Sequence, residues 1–570
     1  MSIPILPLVE EPRPQDSSSA RKSPQWVSSL YDVGWTVLHH ARKHTGAGIV
    51  CSVAYFDPGN WGVDLQAGSQ YGYKLLFVVL LSGLFAAFLQ VLATRLGVVT
   101  GLDLASHCRL LFYDRPRHGR IWRWAVLYPL YALSEVAIVS TDLAELLGSA
   151  IALNLLFPAL PLWGGVLLTS ADVLLILALG NPLNGKPVRM FELIIAALVF
   201  AVLVCMAIII GKTTVQWGTA FDGFVPSKEI FADGALYTSV GILGATVMPH
   251  SLFLGSHLAT QDRVAGAPLK TVSTTTSSAF SFSLRNETRL QQVVRRSLRS
   301  FGTYCASLFR AESSNAPALP ASHAEKENNS YAFVAAHLYH AMVDIVVCLL
   351  GFAVIINSMI LILASAVFFY QSGEYGNESP ASLFDAHTLI QSTIGKGAAL
   401  LFALALLAAG QSASIVATVA GQSVSEGFLR WKVSPVVRRL LTRLLGLIPS
   451  MVVAVAVGPS GINTLLVISQ VVLSIVLPFI TFPLVWLTSS STVMRVRKTP
   501  LNTDSNSPAL VSSHSGAPQR APQTEKQEEQ TDFVDYSNGK IVIFIGYLIW
   551  LVIVIANVYV IVTLGMGQGG

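Results

Sequence analysis

Apolar residues run along this chain in long continuous stretches separated by short polar breaks, with no two-residue alternation. A helix that crosses a bilayer needs about 20 mostly apolar residues. Eleven stretches meet that length: 45–69, 75–97, 122–157, 160–180, 189–212, 235–260, 336–370, 395–428, 440–458, 463–488 and 541–564. Their continuity excludes a strand barrel, whose spans alternate between lipid and lumen. Residues 1–44 read as a disordered tail rich in Ser and Pro, and 490–540 as a disordered loop rich in Ser, Pro, Gln and Glu. Residues 261–335 form a long loop, mostly Ser and Thr over 271–283 and basic from Arg285 to Arg310. The basic segment reads as a solvated linker, with adsorption to an anionic leaflet as the rival reading. The chain then divides into helices 1–6 over 45–260, helices 7–10 over 336–489, and helix 11 with a short outer C-terminus over 541–570.

Charge orients these spans. The net charge of +5 matters less than its distribution. With the N-terminus in the cytosol, only Lys74, Lys212, Lys228 and Lys396 fall on the outer side. That positive-inside asymmetry supports the count of eleven and removes nucleic acid as a partner. Composition agrees: 52% of residues are hydrophobic and 12% charged, against about 25% charged in a soluble domain. The five cysteines, Cys51, Cys108, Cys205, Cys305 and Cys348, are scattered and form no CxxC pair, so neither a zinc site nor a disulfide framework is indicated. Residues 10–25 lack an apolar core, so no cleaved signal peptide is expected and the first span acts as the insertion signal. The sequons at Asn286 and Asn328 face the cytosol and are expected to stay unmodified.

Two spans are interrupted. The first contains Asp57-Pro58-Gly59-Asn60 and the sixth Met248-Pro249-His250. Pro58 and Pro249 each remove a backbone donor, and Gly59 adds flexibility. Broken backbone survives at membrane depth only against protein or a water-filled cavity. Breaks at matching positions of two five-span halves point to a transporter's substrate site. The breaks offer the Asp57 carboxylate, the Asn60 amide, the Met248 thioether and freed carbonyls near Ala54 and Ala245. One sulfur among oxygens suits Mn²⁺, Fe²⁺ or Co²⁺, admits Cd²⁺, and discriminates against Ca²⁺ and Mg²⁺. Taken alone, Met248 reads as core packing; beside Pro249 and opposite the first break it reads as a ligand. Gln470 in span 10 has an amide oxygen to complete the shell in one conformation; Asn357 in span 7 is similar but less telling.

Span 3 carries Glu135, Asp142 and Glu145, whose spacing places them near one helical face. Intramembrane acids default to function, here a proton route. His250, at the second break, titrates near neutrality and is a candidate member. His257 reads first as a packed, hydrogen-bonded histidine. Arg443 reads either as ion partner of the acids or as a snorkelling anchor. Small residues in span 8, around Ala409-Gly410-Gln411-Ser412 and Ala420-Gly421-Gln422, permit close helix packing.

These residues resemble the Nramp (natural resistance-associated macrophage protein) family of proton-coupled divalent metal transporters. The resemblance rests on the two break motifs, on Thr141-Asp142-Leu143-Ala144-Glu145, on the two span 8 stretches, and on Gln470 followed by Leu477-Pro478-Phe479. It covers roughly residues 45–490, and the order of the motifs is specific. It implies an all-α membrane fold of the LeuT-like kind: two inverted five-helix repeats plus one extra helix. It implies that Asp57, Asn60, Met248, Gln470 and the Ala54 and Ala245 carbonyls hold the metal. Glu135, Asp142, Glu145, His250 and Arg443 match the family's proton-pathway region. Ser251 to Ser256 departs from members with Asn and Tyr there and is similar to fungal variants.

The expected protein imports Mn²⁺ or Fe²⁺ as cargo, with protons as coupling ion and no resident cofactor. It is expected in a plasma, endosomal or vacuolar membrane. The rivals are an amino-acid symporter of the same fold and a non-transporting metal sensor. Asp57 argues against a substrate carboxylate, and no folded signalling domain is evident. No nucleotide loop, nucleophile elbow or His-x-x-x-His helix supports an enzyme.

Overall fold

Breaks in two buried helices organise the fold. The computed structural model describes residues 45–171, 188–232, 234–264, 322–323, 325–370, 382–430, 435–456, 458–498 and 533–566. Helix α1 (Ala47–Val53) stops at Ala54, and α2 (Pro58–Tyr71) restarts with Pro58 in its first turn, where a missing N–H does no harm. A 3₁₀ turn, Gly72–Leu75, leads into α3 (Leu76–Thr100), and Asp103 caps the short α4 (Leu104–Phe112). Then follow α5 (Tyr128–Leu156), α6 (Leu162–Thr169) and α7 (Arg189–Lys212). The second broken span is α8 (Ala235–Thr246) and α9 (Pro249–Leu258), again with Pro opening the second half.

The longer helices that follow are α10 (Tyr331–Cys348), α11 (Ile355–Ala364), α12 (Leu383–Thr393), α13 (Lys396–Leu429), α14 (Pro435–Ala456), α15 (Gly458–Ser489) and α16 (Lys540–Gly565). Two π-helical turns, Leu349–Val354 and Ser365–Tyr370, flank α11. Among the described residues eight helices are long and apolar enough to cross a membrane, and Leu440–Ala456 is a shorter apolar one. The first of the eight, Pro58–Thr100, runs through the 3₁₀ turn and joins what the apolar pattern divides into spans 1 and 2. Span 4 is described only as far as residue 171; the rest of it, the tail 1–44 and the segments 271–283 and 285–310 lie outside the described residues.

Three boundaries differ from the sequence reading. Span 7 starts at Tyr331, not 336, because the Ser330 hydroxyl accepts from Phe333 N–H and nucleates the helix earlier. The 490–540 loop is ordered at its ends: strand β1 (Arg495–Arg497) pairs antiparallel with β2 (Phe533–Asp535), so the loop is closed at its base. Helix α12 was not anticipated, although its Ser382–Asp385 capping box stands in the sequence.

Burial is graded from the centre outward. The α8–α9 span is buried over most of its length, whereas α16 is largely exposed at the periphery. Small residues let the central helices meet closely: Gly410 of α13 abuts Ser149 of α5 and Pro58.

Candidate metal site

The two breaks face each other, and one side chain joins them. Asp57 adopts extended backbone (φ −64°, ψ 168°) and caps α2, its carboxylate accepting from Asn60 N–H at 2.9 Å. The Asn60 amide nitrogen donates to Asp57 Oδ1 at 2.7 Å and across to the Ala245 carbonyl at 2.9 Å. That carbonyl belongs to the last turn of α8, just before the helix ends at Val247; Met248 caps α9. Gln470 reaches in from α15: a Cβ on Gly59 would lie 1.8 Å from its amide nitrogen, so only glycine admits it. Gly244 backs onto the Gln470 carbonyl in the same way, seating α8 against α15.

All six expected metal-holding residues, Ala54, Asp57, Asn60, Ala245, Met248 and Gln470, are at most 1% exposed. Asp57 Oδ2 and Gln470 Oε1 accept no hydrogen bond from any described residue. Buried polar atoms are normally satisfied. Two buried acceptor oxygens without a donor, one on each of the side chains that crowd Gly59, fit a cation. Among the described residues no cluster of three or more His, Cys, Asp or Glu forms a conventional metal site. The donor set here is one carboxylate, amides, carbonyls and a thioether.

Other freed carbonyls are claimed by side chains. Asn357, between the two π turns, donates to the Tyr55 carbonyl at 2.7 Å, and Trp61 Nε1 to that of Phe56 at 3.2 Å. The Tyr55 hydroxyl donates to Gln90 Oε1 at 2.9 Å, and Ser251 Oγ lies 3.4 Å from the same oxygen. The sequence reading placed Asn357 near the site but missed Gln90 and Asp64. Asp64 is 2% exposed with Oδ2 unpartnered among the described residues. Its spacing of seven from Asp57 puts both acids on one face of α2, a visible signal.

The span 3 acids lie beside both breaks. Gly148 of α5 packs on Pro58, where a Cβ would stand 2.0 Å from the proline Cβ. One turn earlier is Glu145, fully buried; Glu135, two turns before Asp142, is half-buried. Thr141 Oγ1 lies 3.4 Å from His250 Nδ1, linking α5 to the second break. Asp142 forms a buried ion pair with Arg443, which also donates to Ser414. Arg443 is 3% exposed and is no snorkelling anchor. His257 lies two turns beyond His250 in α9, 3.7 Å from Asp103. Burial alone would raise the Asp103 carboxyl; the His257 contact and the Ser106 donors outweigh it and hold Asp103 below the usual carboxylate range.

Comparisons with known proteins identify the family and the fold. A family model for natural resistance-associated macrophage protein-like chains matches residues 48–294 and 315–504. The manganese transporter pdt1 of Schizosaccharomyces pombe is 39% identical over 528 residues, covering 92% of this chain and 86% of its own. The iron transporter SMF3 of Saccharomyces cerevisiae is 36% identical over 536 residues, covering 93% and 98%. A crystal structure of a mutant of the Eremococcus coleocola manganese transporter superposes with a TM-score of 0.63 at 25% identity, covering 95% of this chain and 88% of that one. The all-α, LeuT-like membrane architecture follows from the same superposition. On the extent of the model match and of these alignments, the chain is an integral membrane protein that belongs to the Nramp family.

Proposed function

We propose that this protein carries divalent transition-metal ions, Mn²⁺ and Fe²⁺ foremost, into the cytosol by proton-coupled alternating access. The observation that carries the reading is the pair of buried, unsatisfied oxygens, Asp57 Oδ2 and Gln470 Oε1, where two broken helices meet beside Met248. The names of the relatives, manganese and iron transporters, support the choice of cargo. The Asp57 carboxylate and the Gln470 and Asn60 amides supply hard oxygens, and Met248 supplies the soft donor that disfavours Ca²⁺. A dication and a proton compete for the Asp57 carboxylate. Glu145, Asp142 and the Arg443 partner, one helix away, receive and relay the displaced proton. Release follows when the halves of the broken helices rock and Gln470 withdraws from Gly59. The cytosol lies on the side of α4 and the 490–540 loop, a reading that the excess of Lys and Arg there supports. The membrane is the plasma, endosomal or vacuolar one, and no catalytic step is involved.

The test is Mn²⁺ uptake into liposomes holding the purified full chain, with and without an inward proton gradient and with excess Ca²⁺. Uptake that rises with the gradient and resists Ca²⁺ is the expected result. Absence of uptake of any divalent metal by folded protein overturns the reading.

A further inference from the structure

Two cavities remote from the metal site meet on the basic side of the molecule. One is an apolar groove of about 920 Å³ between the start of α5, α15 and α16, walled by Leu130, Phe479, Phe482, Trp486 and Val558. The other is a polar recess of about 470 Å³ whose cationic rim is Arg115 and Arg117, with His118 and His323 beside them. The two share Leu111, Arg115 and Trp122, so one runs into the other. The groove opens outward from the helix bundle: Phe479, Phe482 and Trp486 are 52%, 43% and 39% exposed. On membrane-spanning helices those rings face hydrocarbon.

Arg115 stands at the junction and is held in place. Its Nε donates to the Leu111 carbonyl at 3.1 Å, and its guanidinium lies 4.6 Å from the Trp122 ring centroid and 5.9 Å from that of Phe112. No described residue takes its two terminal nitrogens. The acid on the same rim, Asp114, is already paired with Arg123 at 2.9 Å. Among the described residues no acid pairs with Arg115 or Arg117, so the recess presents two guanidinium groups beside a groove that admits hydrocarbon. Guanidinium matches a phosphate by bidentate hydrogen bonding. A sterol or a detergent tail would use the groove and leave the cationic rim unmatched. A soluble anion would use the rim and leave the groove empty.

We propose that the two cavities form one site for an anionic phospholipid of the basic-side leaflet, with its acyl chains in the groove between α5, α15 and α16 and its phosphate on Arg115 and Arg117. Such a lipid bridges α5, which bears the span 3 acids, to α15, which bears Gln470. The site does not depend on the transported ion.

Native mass spectrometry of the detergent-purified full chain, titrated with dioleoyl phosphatidylglycerol or dioleoyl phosphatidylcholine, tests the assignment. One phosphatidylglycerol should be retained per chain, with a preference of about thirtyfold over phosphatidylcholine, as two basic residues near a headgroup supply. The double variant Arg115→Gln, Arg117→Gln should lose the preference. Arg120→Gln should keep it, because Arg120 is exposed, lines neither cavity and removes a similar charge. Val558→Trp, which fills the groove, should lower retention of both lipids. Equal retention of the two lipids by the wild type overturns the proposal. So does an equal loss in the Arg120 variant, which would mean diffuse surface attraction, or unchanged retention with the groove filled.

Discussion

Asp57 has two duties that a single substitution can separate. It caps α2 and it offers an unpaired oxygen to the site. Asparagine caps a helix about as well as aspartate. Asp57→Asn should therefore melt near the wild type yet bind Mn²⁺ at least about tenfold more weakly, as loss of a charged ligand demands; calorimetric titration beside a melting curve reads both. Met248→Ala should keep Mn²⁺ uptake and lose rejection of Ca²⁺, and unchanged rejection would remove the sulfur from the site. The glycines at the break differ in kind. A methyl at Gly59 meets the end of the Gln470 side chain, which can swing away, whereas one at Gly148 meets the Pro58 ring, which cannot. Gly148→Ala should destabilise by about 1–3 kcal/mol, the range for overpacking, while Gly59→Ala should leave melting nearly unchanged and cut uptake. Glycine is visible in a sequence, but the atom it makes room for is not.

Helix α5 shows how much an element decides. Its acids share a face, which the spacing of seven and three residues already indicates. Which acid meets Arg443 depends on the packing of α14, from which Arg443 reaches Asp142 across about 300 residues of chain. Removing one partner of a buried ion pair costs about 3–5 kcal/mol. Arg443→Gln should show that loss in thermal melting, and adding Asp142→Asn should recover part of it; additive losses would mean the pair is not coupled. A second element-scale contact pins the segment before α10. His323 Nε2 lies 3.0 Å from His107 Nδ1, with the ring planes within 4°. The Thr100 hydroxyl, which donates to the Leu96 carbonyl, accepts from His107 Nε2 at 2.8 Å, and this leaves His107 Nδ1 to accept from His323. Burial, then the nearby Lys326 charge, lowers His323 to about 4. A histidine depressed in the fold binds more protons when unfolded, so its stabilisation is complete above the usual value near 6.5 and is lost as pH falls from there towards 4. His323→Gln should flatten the fall in melting temperature over that window.

At the scale of the whole molecule, a clasp on the basic side holds α1 in place. Glu192 at the start of α7 accepts from Arg263 at 2.7 Å and from Arg189 at 3.0 Å, and Arg189 also donates to the Thr45 carbonyl at 3.1 Å. Asp344 of α10 accepts from Gly48 N–H of α1 at 2.7 Å. Cys51 lies behind this clasp with no exposure. If α1 is the element that swings to release cargo, Glu192→Gln should speed alkylation of Cys51 in a chain whose other four cysteines are replaced. An unchanged rate would assign the motion to another helix.

The one-dimensional pattern determined that the chain is a helical membrane protein, where its helices break, and which chemical groups the breaks supply. Those properties are local: twenty apolar residues must span, a proline must interrupt, and Asp57 or Met248 brings its chemistry wherever it goes. Tertiary structure alone decided the pairings. It brought Gln470 against Gly59 and Asn60 to the Ala245 carbonyl, buried Arg443 rather than letting it snorkel, and made Glu192 and Arg263 partners. A sequence pattern records which face of a helix is apolar, but not which distant helix that face meets. Hydrogen bonds and ion pairs act over a few ångströms, so those partners exist only once the helices have packed.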